Sequence, residues 1–206
     1  MHEKNETIDP QMVLNAAKRQ KHLVNSGATK PLPFRLKQLQ TLKSAINKHE
    51  KDIMEALHKD LRKSEFESYS TEIGYMYDSI GHTIKKLRHW MKLKRVRTPL
   101  VHFGSKSVIY SEPYGSALII GPFNYPFMLV MDPLVGAIAA GNCAVVKPSE
   151  FTPHVSAVIA KLIRDNFDGD YITVVEGGKE ATSALIQAPF DVIFFTGSAP
   201  VGKLTP

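Results

Sequence analysis

One stretch, EPYGSALIIGPFNYPFMLVMDPLVGAIAAGNCAVVKPSE from Glu112 to Glu150, leaves this chain few choices of fold. Its apolar run Ala117-Leu118-Ile119-Ile120 is short and rich in β-branched side chains, the pattern of a buried strand. Gly121-Pro122 ends the run. Phe123-Asn124-Tyr125-Pro126 then forms a rigid corner, because proline fixes its own φ and restricts the residue before it. From about Met128 to Ala140 the chain is apolar and long enough for a buried helix, and Gly141-Asn142 suits its C-terminal cap. Cys143-Ala144-Val145-Val146 reads as a second strand, ending in Lys147-Pro148-Ser149-Glu150. The polar groups of this strand, helix, strand unit fall at strand ends, where open α/β sheets bind ligands.

The alternation continues downstream. Thr152-Pro153 starts a helix running to about Asn166, and Phe167-Asp168-Gly169-Asp170 breaks it. Tyr171 to Val175 is a third strand, Glu176-Gly177-Gly178 a turn, Lys179 to Gln187 a short helix and Asp191 to Phe195 a fourth strand. Gly197 opens a glycine loop. Four strands separated by helices predict an α/β fold, a doubly wound parallel sheet with right-handed crossovers.

Upstream, the pattern is helical. Pro10 to Asn25 is amphipathic and closed by Ser26-Gly27. Beyond Phe34, Leu39, Leu42, Ile46, Ile53 and Leu57 recur at helical spacing. Ser64 suits an N-cap for a long helix burying Phe66, Tyr69, Ile73, Met76, Ile80, Ile84, Leu87 and Met91. The acid-free stretch Lys85 to Arg97 has two readings, a solvated helix end or an anion-binding patch. No aromatic interleaving or RNA motif accompanies it, so no nucleic-acid partner is expected. Val101 to Tyr110 reads as a β-hairpin, VHF and SVIY flanking Gly104-Ser105. The expected division is a helical segment 1–100, a hairpin 101–112 and a sheet domain 113–206.

The length of 206 residues suits one domain with a small appendage. No apolar run approaches ~18 residues, so no membrane segment is expected in this chain. The first ten residues, MHEKNETIDP, lack a signal-peptide pattern. A single cysteine excludes an internal disulfide and suits a reducing compartment, so a cytoplasmic location is expected. The net charge of +6 allows acidic partners without demanding them. Eight histidines show no metal-ligand spacing, and no metal is assigned.

Three places carry candidate chemistry. Asn124, in its proline-braced corner, is either a turn asparagine satisfying local backbone or an amide aimed at a developing oxyanion. Lys147, ending a buried strand, either snorkels to water or meets a ligand. Gly197-Ser198-Ala199-Pro200-Val201-Gly202 is either a plain strand-to-helix turn or a loop whose small residues let backbone N–H groups approach a pyrophosphate. Gly197 to Lys203 also fits G-x-x-x-x-G-K, most of a P-loop, although Leu204 stands where that motif needs Ser or Thr. Cys143 opens an apolar strand without a cationic neighbour and reads as inert packing.

GPFNYP, PLVGAIAAGN, VVKPSE and FFTGSAPVGK, in this order, resemble the aldehyde dehydrogenase superfamily, in particular its class 3-like branch. The resemblance implies a Rossmann-like dinucleotide domain at 113–206 and oxidation of an aldehyde to a carboxylic acid. Asn124 then matches the asparagine that stabilises the thiohemiacetal oxyanion. Lys147 matches the lysine that bonds the adenosine ribose, and Glu150 an acid beside the same ribose. Gly178 would lie against adenine, and Gly197, Ser198 and Gly202 belong to the cofactor loop. A carboxylate near the 2′ position favours NAD, with NADP possible. The resemblance also implies a homo-oligomer with the hairpin in its contact region. Neither the family's nucleophilic cysteine nor its general-base glutamate has a match, which leads to the expectation of an N-terminal fragment, inactive alone. The alternatives are a non-catalytic interaction partner of a full-length dehydrogenase and, distantly, a P-loop-like nucleotide binder.

Overall fold

A computed structural model describes residues 10–203, so the first nine residues and Leu204, on which the leader and P-loop readings turn, lie outside it. Three helices come first, α1 (Pro10–Asn25), α2 (Leu32–Lys48) and α3 (Glu50–Leu61). The stripe beyond Phe34 is interrupted at His49, which ends α2 and starts α3. Ser64 caps the next helix as its residue type suggests, its Oγ accepting the Glu67 N–H at 3.1 Å. That helix comprises α4 (Glu65–Ser68), a π-helical turn at Tyr69–Ile73, and α5 (Gly74–Trp90). The π turn inserts a residue and shifts the buried face. Ser68, Glu72, Ile73, Met76, Ile80 and Leu87 are buried, whereas Phe66, expected inside, is exposed.

Of the expected hairpin only the SVIY strand lies where the sequence places it, and its partner lies further upstream. Its strands are β1 (Lys94–Val96) and β2 (Ser107–Ile109), antiparallel with Lys94 opposite Ile109. The VHF segment is not a strand: Pro99, with φ fixed at −58°, starts a 3-10 turn over Leu100–His102. The cations of the 85–97 stretch enter no ion pair among the described residues, and Lys85, Lys86, Arg88, Lys92, Lys94, Arg95 and Arg97 are exposed.

The remainder alternates as the sequence predicts: β3 (Ser116–Ile120), α6 (Met128–Ala140), β4 (Cys143–Lys147), α7 (Pro153–Asn166), β5 (Ile172–Val174), α8 (Lys179–Gln187), β6 (Val192–Phe195) and a short α9 (Ala199–Gly202). The four strands form one parallel sheet in the order β5-β4-β3-β6. From β3 the chain steps outward through β4 to β5, then returns across β3 to place β6 on its far side. This reversal puts α8 on the opposite face from α6 and α7. Ala117 and Ile119 accordingly pack with the cores of α6 and α7, while Leu118 and Ile120 pack with Leu185 of α8. Outside α6 and α7 lies a further layer, α2, α3 and α5. The close fit between β3 and β6 requires glycine at 115: at φ +137°, a Cβ there would come 2.2 Å from Asp191 Oδ2.

Among the described helices none is long and apolar enough to cross a membrane. Two apolar surfaces remain open. Leu100, Val101, Phe103, Val108, Ile109 and Tyr110 are exposed along the ribbon, and Phe194 is 48% exposed on β6. Such surface, next to a strand with an unpaired edge, favours association. The 206-residue polypeptide at tens of micromolar is therefore expected to self-associate in light scattering and to bind a hydrophobic dye. A monodisperse monomer silent to the dye would contradict this.

Candidate active site

Because the strands are parallel, β3, β4, β5 and β6 all end on one edge of the sheet. The order reverses between β3 and β6, so the segments leaving their ends border the crevice where ligands bind in open α/β sheets. The corner 121–127 follows β3, Lys147 to Glu150 close β4, Gly178 follows β5, and Gly197-Ser198 follow β6. All the sequence-derived site residues therefore share this edge.

The corner after β3 is held from several sides. Gly121 N–H donates to Lys147 C=O at 3.0 Å, tying it to the neighbouring strand end. A Cβ on Gly121 would meet Val130 Cγ2 at 2.1 Å, so only glycine lets the chain pass α6 here. Asn124 is exposed, and its Oδ1 accepts the Tyr125 N–H at 3.1 Å. The Nδ2 amide is left without a partner among the described residues, available as a donor. The bond to Tyr125 is the local-backbone reading of Asn124, and the free Nδ2 leaves a donor open at this edge.

Lys147 does not snorkel. It is buried at 2% exposure and forms an ion pair with Glu150 Oε2. The Glu150 side chain is 36% exposed, so an ammonium donor and a carboxylate acceptor stand together at the rim of the sheet. Gly178 precedes α8, and its C=O accepts from Thr182 Oγ1 at 3.1 Å. Gly197 packs against the Phe195 ring, where a Cβ would sit 2.4 Å from Cζ. Ser198 is exposed, and its C=O accepts the Gly202 N–H at 3.0 Å.

The sequence reading missed Lys63 and Glu72. Glu72 is fully buried in the π turn, with Oε1 2.5 Å from Lys63 Nζ. Its Oε2 accepts the Phe127 N–H at 2.9 Å and the Met128 N–H at 3.1 Å, at the start of α6. Lys63 Nζ also donates to Asn124 C=O at 3.2 Å and lies 4.2 Å from the Tyr125 ring centroid. The available signal was an acid one turn before Met76, on an otherwise apolar stripe. Asp60 is a second missed carboxylate. It accepts from His154 N and from Val155 N, at 3.3 and 2.8 Å, at the start of α7.

Cys143 lies at the opposite edge, beginning the strand that Lys147 ends, about 13 Å away at the usual strand rise. It is fully buried, and desolvation pushes its thiol up to about 12. No group of His, Cys, Asp and Glu among the described residues is arranged to hold a metal ion.

The family model described as "Aldehyde dehydrogenase family" matches residues 3–205. The 4,4'-diaponeurosporen-aldehyde dehydrogenase of Staphylococcus aureus (strain NCTC 8325 / PS 47) is 54% identical over 184 residues, covering 89% of this chain and 40% of the relative. A dimeric NADP-preferring aldehyde dehydrogenase of Canis lupus familiaris is 41% identical over 193 residues, covering 93% and 42%. Among solved structures, a substrate-bound Staphylococcus aureus AldH superimposes with a TM-score of 0.90 at 52% identity, covering 93% of this chain and 42% of that one. The chain spans about 40% of the length of these relatives.

Reactivity of Cys143 provides a direct check. A thiol that ionises only near 12 stays protonated from pH 7 to 9, where a free cysteine with pKa near 8.5 becomes thiolate. Labelling of the folded chain by a disulfide reagent is expected to stay slow across that range and to become fast once urea unfolds it. Rapid labelling of the folded chain at pH 8 would refute the burial of this thiol.

Proposed function

The chain belongs to the aldehyde dehydrogenase family, and on that premise we propose that it supplies the dinucleotide cradle and the oxyanion donor of an enzyme oxidising an aldehyde to a carboxylic acid. The observation that carries this reading is the gathering of Asn124, Lys147, Glu150, Gly178 and Gly197 along one sheet edge, at its switch point.

The donor set at this edge suits NAD, with NADP accepted. A ribose diol needs a donor and an acceptor side by side, which Lys147 and Glu150 provide. Glu150 opposes a 2′-phosphate by like charge, while the canine relative is named NADP-preferring. Small residues at Gly197 and Ser198 leave room for a pyrophosphate beside the backbone. When bound, the nicotinamide dinucleotide supplies the hydride acceptor.

Asn124 contributes differential stabilisation. Its Nδ2 donor is fixed by the bond that Oδ1 makes to Tyr125, so little reorganisation is needed as negative charge develops on the aldehyde oxygen. The nucleophile is not Cys143, whose place at the far edge and neutral thiol both argue against attack on a carbonyl at this end. We therefore assign the 206-residue polypeptide no turnover by itself and place thiolate attack and thioester hydrolysis on residues outside it. The apolar surface exposed on the ribbon supports a homo-oligomer, in keeping with the relative named dimeric. The lone buried thiol supports a cytoplasmic location.

Purified from a host lacking its own dehydrogenases, the chain is expected to form no NADH with any aldehyde. It should nonetheless bind NAD weakly, and Lys147→Met should weaken that binding roughly tenfold or more, since a hydrogen bond to a charged group contributes about 1.5–3 kcal/mol. Equal affinity in titration calorimetry would remove Lys147 from the site. In a fusion with the remaining length of the Staphylococcus aureus relative, Asn124→Ala is expected to lower kcat by about 10²–10³, with NAD affinity held. Undiminished turnover would sink the oxyanion assignment.

A further inference from the structure

Three features of the Lys63–Glu72 pair are unusual together. Both groups are buried, the pair lies in no part of the sheet, and its remaining hydrogen bonds go to the segment carrying Asn124. A carboxylate with no exposed surface is costly unless fully paired, and each Glu72 oxygen is used, one by the ammonium and the other by two backbone N–H groups. Phe127, the residue before α6, offers no side-chain cap, so Glu72 provides one from a helix 55 residues earlier. Lys63 follows Arg62, whose φ of +58° makes it the single non-glycine left-handed residue among those described. That turn aims Lys63 inward. Glu72 sits in the π turn, where Gly74 permits close packing, since a Cβ there would come 3.0 Å from Tyr69 C=O. Two uncommon backbone conformations, each with a cost, therefore hold one ion pair in place.

We infer that the Lys63–Glu72 ion pair is a positioning device for the Asn124 amide. Lys63 holds the Asn124 carbonyl and carries the Tyr125 ring, while Glu72 pins the chain three and four residues further on. With the Asn124–Tyr125 peptide held by Lys63 and the Pro126–Phe127 peptide by Glu72, Oδ1 of Asn124 keeps its bond to the Tyr125 N–H, and Nδ2 is left as the donor. Neither Lys63 nor Glu72 touches a reacting atom. Each acts through Asn124, and the catalytic meaning of the device rests on the oxyanion role proposed above.

The test has two arms. In the 206-residue chain labelled at asparagine and tyrosine, the Asn124 side-chain amide and the Tyr125 N–H are followed by NMR in Lys63→Met and Glu72→Gln. Asp60→Asn, which removes the carboxylate at α7 without touching the corner, controls for general destabilisation. The first two variants are expected to shift and broaden the Asn124 amide pair and to raise exchange of the Tyr125 N–H by about tenfold, and the control to leave both unmoved. Unchanged signals in both variants overturn the proposal. Should Lys63→Met fail to fold, Glu72→Gln decides alone, because it keeps an acceptor for Phe127 and Met128. In the active fusion, Lys63→Met should lower kcat roughly tenfold or more while KM for NAD holds, and this loss should vanish in an Asn124→Ala background. A loss persisting in that background also overturns positioning through Asn124. Full turnover of Asn124→Ala instead refutes the oxyanion role and leaves the NMR arm to decide the positioning claim.

Discussion

Everything in this molecule is arranged around β3, a strand paired on both edges and buried on both faces. All five of its residues are buried, and its neighbours β4 and β6 are both parallel to it. A strand in that position must be apolar throughout, and its connections must pass over both faces of the sheet. The requirement to cover two faces forces the chain to wind one way from β3 and then return past it. The reversal of strand order is thus a consequence of burying SALII on both sides, and the crevice it opens comes with the fold. Asn124, Lys147 and Glu150 stand there because irregular backbone and polar side chains can be placed at that edge without burying them unpaired.

The helical layer joins the sheet by polar ties as much as by its apolar stripes. Gln20 on α1, fully buried, donates to Ala144 C=O at 2.9 Å and accepts from Ser116 Oγ at 2.7 Å, bridging two adjacent strands. Arg35 on α2 donates to Ala139 C=O at 3.0 Å near the end of α6 and fills the space left by the missing side chain of Gly141. Buried polar groups satisfied in this way add modest net stability, but they make slipped or rotated dockings expensive by leaving partners unpaired. They therefore specify where each helix lies along the sheet.

Most of the sheet domain was legible in the sequence because its punctuation is local. Gly141 at φ +88° closes α6, Pro153 opens α7, and short apolar runs between such breakers can only be strands. The failures have local causes as well. VHF is apolar enough for a strand, yet Pro99 diverts it into a turn, and the ribbon forms instead from the basic segment Lys94–Val96. A regular period through Phe66, Tyr69 and Ile73 cannot reveal the extra residue of a π turn, which is why Phe66 was expected inside. Asn124 and Lys147 carried visible signals because they stand at strand ends. Lys63 and Glu72 carried almost none, since their importance comes from partners 61 and 55 residues away.

Those distant partners change how the first hundred residues relate to the site. The helices α6 and α7 both begin on the edge where the strands end, after β3 and β4, and each start presents backbone N–H groups with no partner in its own helix. In both cases the missing acceptor is a carboxylate from the helical layer, Glu72 for α6 and Asp60 for α7. Without the helical layer the buried Phe127 N–H and the partly buried Val155 N–H would be left unpaired. A negative charge there also balances the positive end of each helix dipole, so the positive potential of these two helices is neutralised inside the protein. What remains available at the rim is the short list of groups not consumed by folding: the Asn124 amide, and the Lys147–Glu150 pair, whose Glu150 side chain is 36% exposed. The helical segment thus acts as part of the site's own frame, fixing by electrostatics at the helix starts what the strands alone leave free.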